Sequence, residues 1–397
     1  VGGQQHGMVA LDAAGAPIHP AKLWNDTESA PDADWLTAQL APAEWAGAVG
    51  SVPVAAFTVT KLAWLRRTHP QAWAQLDRVM LPHDYLTHRL TGGFSTDRGD
   101  ASGTGYWSPA TGAYRHDLLA LVDPDRDWTG SLPQVLGPMD RAGEWNGAVV
   151  GPGSGDNMAA ALGLGLRPGD VAISLGTSGT AFAVSSTPTH DATGAVAGFA
   201  DATGNYLPLV CTLNATKVTD TVARWLGTDA VGLAELALTA VSDPGTVRLV
   251  PYFDGERTPN LPDATGTFEG LTNQTTRGQL ALAAHDGVLR GLFEGIEALR
   301  RVGATVDGRT FLVGGGSRSP AYRQRAADLL SCPVIVPETD ESVATGAAIQ
   351  AAVVSDGGSF AECSERWQLG RGDLAEPLAV GSPSPGGGAA EPGRMSS

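Results

Sequence analysis

A glycine-rich turn that leads into an alanine-rich segment constrains this chain more than any other feature. Residues 151–157 read Gly-Pro-Gly-Ser-Gly-Asp-Asn, and Met-Ala-Ala-Ala-Leu follows. Glycines let the backbone approach a ligand closely, and the start of the helix predicted behind them favours an anion such as a phosphate. The turn delivers one carboxylate, Asp156, to that helix start. Asp156 is therefore either an ordinary N-cap residue or a base beside a phosphate site.

A second turn is rich in glycine and hydroxyl groups. Residues 174–180 read Ser-Leu-Gly-Thr-Ser-Gly-Thr. One apolar run, 171–175, overlaps the start of this turn, and another, 181–184, follows its end. This pattern predicts two strands joined by a hairpin turn. Thr177 and Ser178 either satisfy the chemistry of that turn or donate hydrogen bonds to a phosphate.

A third turn is the triple glycine at 314–316. It separates a strand predicted over 310–313 from a helix predicted over 320–330, and a strand at 334–336 and a helix at 342–354 follow. In open α/β sheets, ligands bind at turns of this kind, which follow the carboxyl ends of the strands. The run lacks the Lys-Ser/Thr of a Walker loop, so tight packing of strand against helix is the alternative explanation.

Outside these turns the pattern also alternates between strands and helices. We predict a strand at Met8–Leu11, helical segments over 61–90 that Pro70 and Pro82 interrupt, and an amphipathic helix from His285 to Val302. The stretch 381–393 is of low complexity, and we predict that it is disordered.

Composition excludes several classes of function. The chain has 397 residues, enough for two or three domains, and its net charge of -16 argues against binding to nucleic acid or to anionic membranes. No run of about eighteen apolar residues predicts a membrane span. The three cysteines are widely spaced, form no metal-ligand pattern and indicate a reducing compartment, which predicts a cytoplasmic protein.

Together the three turns resemble those of the FGGY family of carbohydrate kinases. Two longer stretches are similar to that family's signatures: Phe57–Trp64, and Gly266–Leu271 with its continuation to Asp286. The resemblance implies two actin-like, ribonuclease H-like α/β domains with a cleft between them. The expected division is an N-terminal sugar-binding domain at 1–165, a C-terminal nucleotide-binding domain at 166–371 and a disordered tail at 372–397.

Within the family, the chain resembles the branch that phosphorylates D-xylulose to D-xylulose 5-phosphate. Its supporting segments are Gln4–Gly7, Trp24–Asp26, Pro82–Leu86, Gly155–Asn157 and Gly255–Pro259. Branches that act on ribulose, glycerol or gluconate carry other residues at the His-Gly position of the first segment. A kinase for another ketose or polyol remains the alternative.

The resemblance also implies a role for individual residues. Asp156 would be the general base that takes the proton from the terminal hydroxyl of the sugar. The sugar would be bound by Gln5, His6, Asn157 and Trp24, and ATP by Gly176, Thr177, Ser178, Gly315, Gly316 and Ser317. Mg²⁺ would accompany the ATP phosphates without dedicated protein ligands, and the partner is a small-molecule sugar. Homodimers are common in the family. Glu256 and Arg257 are expected to form a structural contact between domains.

The start of the chain departs from the family pattern. Members begin with a strand-turn-strand unit containing Asp-x-Gly-Thr, and nothing like it precedes Val1. We therefore expect an incomplete first domain in which the strand at Met8–Leu11 lacks partners and leaves an exposed edge. Two hypotheses follow: a sugar kinase whose activity is weak or absent because the chain is truncated, or a non-catalytic sugar- or nucleotide-binding module.

Overall fold

The computed structural model describes residues 1–338 and 341–378. Up to residue 165 the strands are short, and they are β1 (Gly2–Gly3), β2 (Val9–Leu11), β3 (Arg78–Met80), β4 (Ser95–Asp97), β5 (Trp107–Ser108), β6 (Ala113–Tyr114), β7 (Gln134–Leu136), β8 (Gly143–Trp145), β9 (Ala148–Val150) and β10 (Ser154–Gly155). The helices of this part are α1 (Ala30–Gln39), α2 (Pro42–Val49), α3 (Thr58–Thr68), α4 (Pro70–Trp73), α5 (Pro82–Thr91), α6 (Arg98–Ala101), α7 (His116–Val122) and α8 (Asp156–Gly163).

The second part of the chain has longer elements. Its strands are β11 (Val171–Leu175), β12 (Gly179–Ala183), β13 (Ala197–Ala200), β14 (Tyr206–Thr212), β15 (Arg248–Val250), β16 (Thr267–Glu269), β17 (Thr310–Val313), β18 (Val334–Pro337) and β19 (Gly372–Ala375). Its helices are α9 (Thr216–Trp225), α10 (Ala230–Thr239), α11 (Arg277–Arg301), α12 (Pro320–Leu330), α13 (Ser342–Asp356) and α14 (Phe360–Arg366).

A seven-stranded mixed sheet forms the centre of the second part, with the strand order β13-β14-β12-β11-β17-β18-β19. Successive side chains of a strand point to opposite faces. Ile173 and Leu175 accordingly belong to the apolar cluster that includes α9 to α12, whereas Ala172 joins the cluster that contains α3 and α8. Both faces of the sheet are thus covered, and the second cluster joins the two parts of the chain through one continuous core.

The strand predicted at Met8–Leu11 is not left unpaired. β2 pairs antiparallel with β3, with Val9 opposite Met80. The prediction of an edge without partners is therefore wrong for this strand. The all-helical prediction for 61–90 is wrong at the same place, because the pairing of Arg78–Met80 with β2 outweighs the short helical spacing that those residues also fit.

Two boundaries also differ from the sequence-based expectation. The helix expected to start at His285 begins at Arg277, because Thr276 and Gln279 form a reciprocal capping box. The tail expected to be disordered from 372 onward starts with a strand, because Gly372–Ala375 pair antiparallel with β18. The remainder of that prediction, at 379–397, lies outside the described residues, as does the low-complexity stretch 381–393.

Helices α8 and α13 cross with their backbones in direct contact. A Cβ atom added to Gly163 would lie 1.9 Å from the carbonyl oxygen of Ser342, and one added to Gly346 would lie 1.9 Å from that of Ala159. Only glycine permits such an approach. The helix that begins with Asp156 is therefore fixed closely against the second part of the chain.

Within residues 1–338 and 341–378, none of the helices combines the length and the apolar composition that a membrane span requires.

Candidate active site

A parallel pair of short strands brings the first two predicted segments together. β1 pairs with β10 in parallel, with Gly2 opposite Ser154 and Gly3 opposite Gly155. Gln5 and His6 come shortly after β1, whereas Asp156 and Asn157 come directly after β10. Since the carboxyl ends of parallel strands meet at one edge of a sheet, these four residues lie close together. The amide Nδ2 of Asn157 lies 3.4 Å from Oε1 of Gln5.

A second parallel pair places the other two glycine turns at a common edge. β11 pairs with β17, with Val171 opposite Thr310 and Ser174 opposite Val313. Gly176–Ser178 follow β11, and Gly314 follows β17 with a φ of 83°. A Cβ on Gly314 would lie 2.8 Å from the carbonyl oxygen of Leu175, so the two turns approach each other backbone to backbone.

The first of two neighbouring cavities has a volume of about 310 Å³ and is lined by polar and apolar groups in similar measure. All four residues expected to bind the sugar line it, together with the expected base: Gln5, His6, Trp24, Asn157 and Asp156. Its apolar wall includes Phe57 and Phe199, whose rings lie 4.7 and 5.5 Å from the imidazole of His6. Polar groups facing an aromatic wall suit a small polyhydroxylated ligand.

The second cavity, of about 410 Å³, lies on the other side of Asp156. Gly315 and Ser317 of the triple-glycine turn line it. The two cavities share Asp156, Asn157 and Ser174 as lining residues. A single carboxylate therefore faces both spaces.

The carboxylate of Asp156 is held in place but is not an N-cap. Asp156 is the first residue of α8, whose N-cap is Gly155. One of its oxygens, Oδ1, accepts hydrogen bonds from the backbone N–H of Asn157 at 2.8 Å and from the side-chain amide of Asn157 at 3.0 Å. Burial raises the pKa of the Asp156 carboxyl above its ordinary value, although N–H donors of Asn157 and Gln5 oppose this. A raised pKa suits a group that accepts and releases a proton near neutral pH.

His6 presents an unprotonated nitrogen to the first cavity. Its backbone has a φ of 65°, and its N–H donates to Oδ1 of the buried Asp100 at 3.0 Å. The carbonyl oxygen of Gly103 lies 2.8 Å from Nδ1, so Nδ1 carries the hydrogen and Nε2 can accept one. Burial lowers the pKa of His6 to about 3. The ring is therefore neutral and able to accept a hydrogen bond from a hydroxyl group.

Three residues predicted to bind ATP do not line either cavity. Gly176 and Thr177 form the outer part of the hairpin turn, and their carbonyl oxygens accept hydrogen bonds from the start of α9, at Thr216 and Ala215. Gly316 is a packing residue, because a Cβ there would lie 2.7 Å from that of Leu175. Ser178, by contrast, lines the first cavity.

The sequence did not single out Phe57, Phe199 or Arg257 as residues of the site, although all three line the first cavity. Phe57 opens one of the two signature stretches, so that motif was the available signal. For Glu256 the expected contact between domains is wrong. Its carboxylate accepts hydrogen bonds from Leu213 and Asn214, which belong to the same part of the chain.

The arrangement defines a class of protein: a two-part α/β fold in which one carboxylate at a helix start lies between a polyol-sized cavity and a glycine-lined cavity. Comparison with known proteins identifies the family. The sequence profile of the FGGY family of carbohydrate kinases, N-terminal domain, matches residues 1–163, and that of the C-terminal domain matches residues 171–355. The chain belongs to the FGGY family of carbohydrate kinases. Since the N-terminal profile starts at residue 1, the expected absence of the family's opening segment is not confirmed.

Individual relatives are similar over most of the chain. A xylulose kinase of Streptomyces coelicolor is 48% identical over 387 residues, which are 95% of this chain and 78% of that protein. A xylulose kinase of Escherichia coli is 36% identical, over 83% of this chain and 70% of that protein. Among solved structures, the xylulose kinase from Bifidobacterium adolescentis superposes with a TM-score of 0.87 at 43% identity, covering 95% of this chain and 84% of that one. The similarity confirms the two-domain actin-like fold.

Proposed function

We propose that this chain catalyses the ATP-dependent phosphorylation of D-xylulose to D-xylulose 5-phosphate. The observation that carries the proposal is the position of Asp156 in the wall that the two cavities share. A kinase needs its base where the acceptor hydroxyl meets the phosphoryl donor. The names of the Streptomyces and Bifidobacterium relatives support the choice of sugar.

The sugar occupies the first cavity in this proposal. Nε2 of His6 accepts a hydrogen bond from one hydroxyl, and the amides of Gln5 and Asn157 bond to others. Trp24, which is 51% exposed, adds an aromatic ring to the lining of the cavity. A buried site that bonds to hydroxyls rejects analogues without them, because its own polar groups are then left unpaired.

ATP occupies the second cavity, with its phosphates directed to the shared wall. Gly315 and Ser317 line the nucleotide side. Ser178 is the member of the hairpin turn that reaches the first cavity, so its hydroxyl and N–H are placed for the phosphoryl group in transit. Gly176 and Thr177 support that turn from behind, and Gly316 lets the turn pack against Leu175.

In the reaction, the oxygen of the sugar's terminal hydroxyl attacks the γ-phosphorus of ATP. The proton of that hydroxyl goes to the Asp156 carboxylate. The bond from that phosphorus to the β–γ bridging oxygen breaks, and ADP leaves. General base catalysis of this kind contributes about 10²–10⁴-fold to the rate.

Magnesium fits this site as a companion of ATP. Among the described residues, no cluster of three or more His, Cys, Asp or Glu side chains could hold a metal ion. Mg²⁺ in phosphoryl-transfer sites is held largely by substrate phosphates and by one or two carboxylates. Asp156 is the carboxylate that faces both cavities. When bound, the ion would neutralise charge on the phosphates. A cytoplasmic location and a homodimer stay predictions.

The test is ADP release from MgATP with D-xylulose, D-ribulose, L-ribulose and glycerol offered separately. We expect stimulation by D-xylulose. Asp156→Asn should lower kcat by about 10²–10⁴-fold and leave ATP binding unchanged, since the amide keeps the shape but cannot take the proton. Asp34→Asn, at an exposed position of α1, is the matched control and should keep the full rate.

Stimulation by ribulose or glycerol in place of D-xylulose would reassign the acceptor. A folded protein that no sugar stimulates would support a non-catalytic binding module. An unchanged kcat in the Asp156→Asn variant would eliminate Asp156 as the base.

A further inference from the structure

The first cavity contains a cation that a neutral sugar does not require. Arg257 lines this cavity together with His6 and Asp156. Among the described residues that line the cavity, Arg257 is the only lysine or arginine. Neutral groups such as Gln5 and Asn157 are sufficient to bond to hydroxyls. An arginine in this position therefore calls for an explanation beyond sugar binding.

The backbone of Arg257 is firmly held. The neighbouring Glu256 is 3% exposed, and its Oε1 accepts hydrogen bonds from the N–H of Leu213 at 2.6 Å and of Arg257 at 2.7 Å. Its Oε2 accepts from the amide of Asn214 at 3.0 Å, and that amide also donates to the carbonyl of Gly255 at 2.6 Å. Glu256 thus fixes the turn against the end of β14, which itself lines the cavity.

The guanidinium group of Arg257, in contrast, has no fixed partner. Its backbone is bonded to Glu256, but across residues 1–338 and 341–378 the guanidinium forms no hydrogen bond and no ion pair. Arg309 and Arg325 are paired, with Asp170 at 2.6 Å and with Asp286 at 2.8 Å, whereas the exposed Arg257, like the exposed Arg290, has no such partner among the described residues. A planar guanidinium left unpaired at a cavity is suited to bind an anionic oxygen group.

The charge of Arg257 acts on groups inside the cavity. Burial lowers the pKa of the His6 imidazole, and the charge of Arg257 lowers it further. Burial raises the pKa of the Cys211 thiol, and the charge of Arg257 partly opposes that rise. The negative charge of Asp156 also acts on the Cys211 thiol and raises its pKa. The cation and the shared carboxylate therefore both belong to the lining of the space in which the acceptor hydroxyl would be phosphorylated.

We propose that Arg257 binds the transferred phosphoryl group, so that it recognises D-xylulose 5-phosphate and not D-xylulose. The inference rests on the proposed function. During transfer, the bond between the γ-phosphorus and the β–γ bridging oxygen breaks, the new bond joins that phosphorus to the sugar oxygen, and the hydroxyl proton goes to Asp156. The cavity then holds a phosphate ester beside a carboxyl group, and the guanidinium offsets that negative charge.

The experiment measures two dissociation constants by isothermal titration calorimetry, one for D-xylulose and one for D-xylulose 5-phosphate. Arg257→Ala and Arg257→Gln are compared with the unaltered chain, and Arg290→Ala, an exposed arginine of α11, is the matched control. We expect both Arg257 variants to bind the phosphate ester about tenfold to a hundredfold more weakly and to bind D-xylulose within about threefold of the unaltered chain. Arg290→Ala should change neither constant.

Undiminished affinity of both Arg257 variants for the phosphate ester would overturn the inference and leave the proposed function standing. An equal loss of affinity for both ligands would also overturn it, because Arg257 would then support the cavity as a whole. If the unaltered chain bound neither ligand, the proposed function itself would fail. Should Arg257→Ala lose its cooperative thermal transition, Arg257→Gln, which keeps the length and polarity of the side chain, decides the question.

Discussion

Gln350 and Gly153 exchange two hydrogen bonds across the molecule. The N–H of Gly153 donates to Oε1 of Gln350 at 3.0 Å, and Nε2 of Gln350 donates to the carbonyl of Gly153 at 2.9 Å. Gly153 belongs to the turn that carries Asp156, whereas Gln350 is a buried residue of α13. The turn with the proposed base is thereby held by a side chain from the other part of the chain.

Replacing Gln350 with Leu should loosen that turn. Both backbone groups of Gly153 would be left buried without a partner, which costs about 1–3 kcal/mol for each unsatisfied group. We expect a lower melting temperature, measured by calorimetry, and a lower kcat, measured by ADP release from MgATP with D-xylulose. Gln75→Leu, at an exposed position, should change neither quantity. An unchanged kcat in Gln350→Leu would show that the two hydrogen bonds between Gln350 and Gly153 do not position Asp156.

The crossing of α8 and α13 predicts a second loss of stability. In Gly346→Ala the new methyl group would meet the carbonyl of Ala159, so the helices must move apart. Overpacking of this kind costs about 1–3 kcal/mol in the free energy of unfolding. The matched control is Gly291→Ala in α11, where a Cβ meets nothing within 4 Å. That variant should be neutral or slightly stabilising, because alanine favours helix.

The pH profile should separate the roles of Asp156 and His6. Because the pKa of Asp156 is raised, we expect log kcat to fall with decreasing pH from a point above the ordinary value of 3.8. His6 has its pKa lowered to about 3 and stays neutral over the range in which the rate changes. His6→Asn should therefore raise the KM for D-xylulose while the acidic limb keeps its midpoint. Loss of that limb in His6→Asn would assign the titration to His6.

Replacing Lys61 should weaken the binding of the sugar and leave the binding of ATP unchanged. Its Nζ is buried and donates to the carbonyls of Ala55 at 2.9 Å and Asp26 at 3.3 Å, which flank cavity-lining residues. Lys61→Met should raise the KM for D-xylulose and leave that for ATP unchanged, because the two carbonyls lose their donor. Lys217→Met removes an ion pair with the exposed Asp254 and should cost less than about 1 kcal/mol in unfolding free energy.

Burial also makes Lys61 a source of pH-dependent stability. Its pKa is lowered from 10.5 to about 8 in the folded chain, so between those values the unfolded chain binds more protons than the folded one. Stability from this group is therefore present above pH 10.5 and is lost as the pH falls towards 8. Denaturant titrations from pH 8 to 10 should show this rise in the unaltered chain and a smaller one in Lys61→Met.

The sequence predicted the parts of the fold that local patterns determine. The strand at Val171–Leu175 and the helix at Pro320–Leu330 lie where the periodicity placed them, and the strand predicted at 181–184 is found at Gly179–Ala183. β3 was missed because three residues of strand cannot be distinguished from helix by spacing alone, and its pairing partner is distant in the chain. Tertiary pairing likewise decides β19, which composition alone placed in the tail.

The site was predicted unevenly for a related reason. His6, Asp156 and their neighbours lie in short motifs, so the sequence identified them as candidate site residues. Arg257 was taken as structural, because its orientation depends on what Glu256 bonds to across the turn. Gly316 was assigned to ATP, although its lack of a side chain serves packing against Leu175. Which glycine of a run meets the ligand depends on contacts that are distant in sequence.

The backbone contact between α8 and α13 has a consequence for how the cleft can work. Helices that meet at glycines, with no side chains between them, can act as a pivot, since the distance at the crossing barely changes while their far ends swing. Asp156 starts one of these helices, close to that axis. The mouths of the two cavities would then widen and narrow to admit sugar and nucleotide, while Asp156, the proposed base, keeps its place.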